Sequence, residues 1–142
     1  MFQNNQTKIF QAGILSGIML FVLVAVEDWL SSSLYTLADP AVWNTVMIHN
    51  WWIYSFFYHI MVGLILVLAF SLFYNGLSGV GAAKGLQFGF WIWVVGTVPG
   101  LLMTLMTLAV PESLVIVWLV AGLFNYLLAG LLIGALYAPQ QK

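Results

Sequence analysis

His59 sits well inside a long apolar stretch, and an imidazole there could titrate, ligate a metal or haem iron, or exchange hydrogen bonds. By helical rise it lies about 12 Å from the near end of its segment and one turn from Ser55. Thr97 and Asn125, in later apolar segments, reach a similar depth. His59, Thr97 and Asn125 are therefore the candidate ligand-binding cluster. A neutral histidine hydrogen-bonded to such neighbours is the favoured reading, because an unpaired polar group is costly in hydrocarbon. The only other histidine is His49. On one unbroken helix the two would be about 15 Å apart along the axis and roughly 80° apart around it, so they cannot share an iron within one chain. A dimer could pair His59 with its symmetry mate, and Met61 or Met103 could supply sulfur, but no spacing selects either.

Other chemistries find less support. Glu27, Asp28, Asp39 and His49 could gather a cation near one face, although solvated interfacial charges are the simpler account. The histidines have no intramembrane carboxylate beside them in sequence, so no metal site is expected. Ser31-Ser32-Ser33 has no nucleophile-elbow context, and no glycine-rich phosphate loop occurs. With no cysteine, thiolate catalysis and iron–sulfur ligation drop out. No catalytic residue and no cofactor are expected.

Composition says what must position these residues. The chain of 142 residues is 63% hydrophobic and 5% charged, which cannot clothe a water-facing surface. Without a basic cluster, neither nucleic acid nor anionic lipid has an electrostatic footprint. The lipid bilayer is the evident partner. Apolar stretches from about 9 to 30, 51 to 74, 85 to 109 and 113 to 137 each match the roughly 20 residues that cross a hydrocarbon core. They predict one all-α domain over 1–142, an integral membrane bundle of four antiparallel transmembrane helices. Asp39-Pro40 predicts a short helix that lies in the interface or runs into the second segment, with a break near His49-Asn50. Lys8, Lys84 and Lys142 all fall on one side and Glu27, Asp28, Asp39 and Glu112 on the other, which predicts cytoplasmic termini.

Glycines recur at four-residue spacing: Gly13 and Gly17, Gly85 and Gly89, Gly96 and Gly100, Gly130 and Gly134. In lipid such residues let backbones approach, so they mark packing faces, more readily within one bundle than between copies. Pro99 removes a helical hydrogen bond near Val95 and predicts a kink, which with Thr97, Gly96 and Gly100 could act as a hinge, although a static kink that fits the third helix against the fourth is the favoured reading. Lys8-Ile9-Phe10-Gln11-Ala12-Gly13 and Lys84-Gly85-Leu86-Gln87-Phe88-Gly89 share K-x-x-Q-x-G, and Val62-Gly63-Leu64 matches Ala129-Gly130-Leu131 more weakly. Any duplication would be of the parallel kind.

The stretch from Lys84 to Tyr137 opens on Lys-Gly-Leu, carries Gly96-x-x-Pro99-Gly100, and closes on Ala129-Gly130-Leu131-Leu132-Ile133-Gly134-Ala135-Leu136-Tyr137. It resembles small uncharacterised bacterial four-helix inner-membrane proteins. The resemblance implies a bacterial inner-membrane protein and carries over no binding or catalytic residue. The expectation is a non-enzymatic accessory or assembly subunit, or a binding module, in a homo-oligomer or a larger membrane complex. The alternatives are a small oligomeric carrier or channel with a pocket at His59, Thr97 and Asn125, or a subunit that holds haem or quinone.

Overall fold

The computed structural model describes residues 2–43 and 49–137, with side chains from residue 7 onward. Helix α1 covers Phe2–Leu30 and α2 covers Trp51–Phe73. The third crossing, α3, spans Ala82–Thr107, and α4 covers Glu112–Leu136. All four are long and apolar enough to cross a bilayer, and no strand occurs among the described residues. The chain is an all-α, multi-pass membrane protein.

The boundaries have local causes. The first helix begins before Ile9, because the polar turn at its start continues the helical backbone. Asp39 accepts a hydrogen bond from the Ala41 amide at 2.8 Å and starts a single 3-10 turn, Pro40–Val42. Trp43 then turns extended, and residues 44–48, where a longer interfacial helix was expected, lie outside the described residues. Asn50, at φ −113° and ψ 25°, breaks the path into α2, as the length of a continuous helix requires. Between α2 and α3, Gly79 and Gly81 take φ of 80° and 51°, a region that only glycine enters cheaply. Lys84 donates to the Tyr74 carbonyl at 2.6 Å and lies 4.0 Å over the Tyr74 ring, covering the exposed end of α2.

The helices form two hairpins, α1 on α2 and α3 on α4, which meet mainly through α1 and α4. Each hairpin closes on glycine. A Cβ placed on Gly63 of α2 would strike the Gly13 carbonyl and lie 2.5 Å from the Gly17 amide nitrogen. A Cβ on Gly130 of α4 would likewise strike the Gly85 carbonyl and lie 3.0 Å from the Gly89 amide nitrogen. Gly134 stands against Gly81 and Gly85 in the same way. The main chains themselves touch, so dispersion contacts replace the hydrophobic drive that lipid removes. Gly96 and Gly100 differ, since a Cβ at either would meet nothing within 4 Å.

These contacts expose an internal repeat with a corrected register. Gly17 faces the His59 carbonyl and Ile60 Cα, while Gly89 faces the Tyr126 carbonyl and Leu127 Cα. The hairpins therefore match Gly13 with Gly85, Gly17 with Gly89 and Gly63 with Gly130. The K-x-x-Q-x-G alignment, which pairs Gly13 with Gly89, is out by one turn. Backbone approach sets the repeat, whereas the Lys and Gln residues serve local ends. Gln87 accepts from the Ser78 amide at 2.7 Å, and Lys8 and Gln11 border a groove beside Ala135 and Leu136.

The core lies toward the lysine-bearing end. Phe70, fully buried, packs edge-on to Tyr74, Phe88 and Tyr137, joining three helices. Ala12, Leu20, Val67, Ala129 and Ile133 complete the cluster. Ser16 is also fully buried, and its hydroxyl has no hydrogen-bond partner among the described residues. It serves the α1 face by being small.

Pro99 does not simply kink α3. The α-helix Ala82–Ile92 passes into a π-helical turn, Trp93–Thr97, and resumes as Val98–Thr107 with the proline in its first turn. The proline lacks an amide hydrogen and the π turn absorbs the mismatch. The turn also aims Trp93, whose indole donates to the Leu119 carbonyl of α4 at 2.9 Å.

Candidate functional site

Among the described residues, the side-chain-to-side-chain hydrogen bonds that join different helices gather at the end of the bundle bearing the carboxylates. Glu27 and Asp28 lie in the last turn of α1, inside the membrane-crossing segment and half-buried. Adjacent on the helix, they turn toward different neighbours. Glu27 Oε2 accepts from Asn125 Nδ2 of α4 at 3.2 Å. Asp28 Oδ1 accepts from the Tyr35 hydroxyl at 2.6 Å, and the same phenolic oxygen accepts from the Trp118 indole at 3.1 Å. Tyr35 belongs to the one-turn helix Ser32–Tyr35, which this chain of bonds fastens to α1 and α4. Trp43 completes an aromatic group, with its ring 5.5 Å from Tyr35 and 6.5 Å from Trp118. Burial raises the Tyr35 phenol well above its ordinary value, and its hydrogen bond to Asp28 raises it further.

A groove of about 570 Å³ opens between α1 and α4 beside these groups, within the roughly 300–1,000 Å³ usual for small-molecule sites. Val26, Leu30, Val120 and Phe124 give it apolar walls, and Glu27 and Asn125 supply polar atoms. The Ser31 hydroxyl, also at the groove, donates at 2.7 Å to the main-chain carbonyl of Glu27. The amide of Asn125 is oriented by its partner, because a carboxylate oxygen can only accept and so takes the Nδ2 hydrogens. Among the described residues nothing donates to Glu27 Oε1 or to Asn125 Oδ1. The groove thus offers hydrogen-bond acceptors in an apolar setting.

His59, Thr97 and Asn125 are held by three different partners, and no hydrogen bond joins any two of them. Asn125 holds Glu27, while Thr97 stands beside the Tyr126 hydroxyl. His59 Nδ1 lies 2.7 Å from the Ser55 carbonyl of its own helix. A carbonyl can only accept, so Nδ1 carries the proton and Nε2 is left with its lone pair. The imidazole is buried beside Phe21 and Tyr58. Among the described residues, no group of three or more His, Asp or Glu could hold a metal ion.

This placement yields a prediction for His59. Replacing it with leucine strands neither Thr97 nor Asn125, because neither bonds to it, and it gives up only a 3.2 Å contact with the Ser55 hydroxyl, while the Ser55 carbonyl remains within its helix. His59→Leu and His59→Gln are expected to lower stability by no more than about 1 kcal/mol. Nitrogen-15 NMR of the labelled imidazole should report protonation at Nδ1, and the Nε2–H form would contradict the assignment.

Residue types along the chain place Glu27 and Asp28 among solvated interfacial charges, because they stand at a span end. A usable signal lay in spacing. Gly13, Gly17, Leu20, Glu27 and Ser31 continue one helical stripe, so the face that packs glycine also carries the carboxylate. Comparison of the chain with protein-family models, with curated proteins and with solved structures finds no match.

Proposed function

We propose that the chain is a small non-enzymatic protein of a bacterial inner membrane, with cytoplasmic termini. In this reading it is a binding module that receives an amphiphilic molecule from the bilayer, by itself or as an accessory subunit of a larger complex. One observation carries the reading: an apolar groove, bordered by helices that face lipid, is lined by Glu27, one of whose carboxylate oxygens accepts no hydrogen bond among the described residues. A polar group in hydrocarbon is costly without a partner, which favours a ligand that is polar at one end. The orientation rests on Lys8 and Lys84 standing opposite Glu27, Asp28, Asp39 and Glu112.

The groove is tested by filling it. Purified wild-type protein, loaded in detergent with mixed phosphatidylethanolamine and phosphatidylglycerol, should show one retained lipid mass per chain in native mass spectrometry. Val120→Trp places a large ring where the tail would lie and should remove that mass without unfolding the bundle, since Val120 is 51% exposed. Retention by the tryptophan variant, or a bare wild-type chain, would reject the groove as the binding site. Orientation is checked separately with single cysteines at Ser32 and Ser78. An impermeant maleimide should reach the first from the periplasm and the second only from the cytoplasm, and the reverse pattern would invert the topology.

A further inference from the structure

Among the described residues, the side-chain oxygens of the lining residues Glu27 and Asn125 that take no hydrogen bond are of one kind, and that selects the head group. Glu27 Oε1 and Asn125 Oδ1 can only accept hydrogen bonds. The donors nearby are already engaged: Asn125 Nδ2 on Glu27, the Ser31 hydroxyl on the Glu27 carbonyl, and the Tyr35 hydroxyl on Asp28. The charges are of one sign as well. Glu27 and Asp28 stand side by side, while Lys8 and Lys84, the cationic side chains among the described residues, belong to the opposite end of the helices. A phosphate or carboxylate head would meet acceptors and negative charge, and a hydroxyl could satisfy one acceptor without countering the charge.

We infer that the groove recognises the primary ammonium of a bilayer aminolipid, with the –NH₃⁺ donating to Glu27 Oε1 and Asn125 Oδ1 and one acyl tail lying along Val26, Leu30, Val120 and Phe124. An ammonium brings three donors and a compensating charge to a carboxylate in a low-dielectric setting, where charge-assisted bonds are strongest. A trimethylated head group keeps the charge and loses every donor, so it separates the two contributions. This inference rests on the groove reading above and narrows it to one head-group chemistry.

The test compares phosphatidylethanolamine with phosphatidylcholine of identical acyl chains, offered in equal amounts to the purified full-length chain and read by native mass spectrometry. Wild-type protein should retain the ethanolamine lipid in preference by about tenfold, the discrimination expected of one charge-assisted hydrogen bond. Glu27→Gln should still retain lipid, with the preference reduced to about one. A variant-free arm uses wild-type protein with dodecylamine or dodecanol, where the amine should raise the melting temperature and the alcohol should not. Equal retention of both lipids, a preference that survives Glu27→Gln, or equal stabilisation by the alcohol would overturn the assignment. Stabilisation by dodecylamine without retention of the ethanolamine lipid would also overturn it, pointing to a free lipophilic amine as the source. Loss of all lipid from wild-type protein would instead strike the groove itself, which the Val120→Trp comparison reads independently.

Discussion

Gly130→Ala and Gly63→Ala are each expected to destabilise the bundle by about 1–3 kcal/mol or more, although each adds one methyl group. At Gly130 the new Cβ would meet the Gly85 carbonyl oxygen and at Gly63 the Gly13 carbonyl oxygen, and neither is the end of a flexible side chain. The clash can be relieved only by moving one helix away from the other, which thins the dispersion contacts along the whole crossing. Because the two positions are equivalent in the repeat, their effects should be similar in size. Gly100→Ala provides the contrast. Nothing lies within 4 Å of its would-be Cβ, and alanine is the better helix former by about 1 kcal/mol, so that variant should be neutral or more stable. Thermal melts in one detergent, followed by circular dichroism, decide the matter. Equal melting temperatures for Gly130→Ala and Gly100→Ala would remove the glycine contacts as the basis of hairpin packing.

Tyr35→Phe is the second substitution with a large expected effect, because one hydroxyl serves two partners. Its removal leaves Asp28 Oδ1 without its donor and the Trp118 indole N–H without its acceptor. Losing partners for two part-buried groups, one of them ionisable, should cost about 2–3 kcal/mol. The one-turn helix Ser32–Tyr35 should also loosen from α4, so limited proteolysis after residue 31 should quicken. The phenol supplies a second check. Its value is raised in the folded protein, so its contribution to stability is complete below pH about 10 and is lost as the pH rises through the folded value. Absorbance titration of the folded protein should show tyrosines that resist ionisation, and Tyr35→Phe should remove one residue from that fraction. A variant with wild-type stability and an unchanged titration would show that Tyr35 is not the joint between these elements.

The retained lipid, the head-group preference and the imidazole tautomer are separate measurements on one small region, and they need not fall together. Loss of the ethanolamine preference leaves the apolar groove intact. Loss of hairpin packing would take the groove with it, because α1 and α4 form its walls.

What the chain determined by itself is its class and its threading. Apolar stretches long enough to cross a bilayer leave a helix no alternative, since every backbone amide must find its partner within the segment. Pro111 stands just before the last helix and starts it, and the charges sort to opposite ends. Glycines at four-residue spacing named the close-packed faces, but they could not say which were used. Gly130 and Gly134 bury against α3, while Gly96, inside the π turn, and Gly100, after it, have the same spacing and stay open, because the helix there turns them away from any neighbour. Tertiary structure alone decided the site. His59, Thr97 and Asn125 share a depth, yet rotation about each helix axis sends them to different neighbours. Glu27 and Asp28 read as surface charges until α4 lays Asn125 and Trp118 beside the end of α1 and Tyr35 folds back onto it. Depth in a membrane is a sum along one helix and can be counted from residues. Which side chains meet depends on how helices rotate and approach, and here backbone contact at glycine sets that.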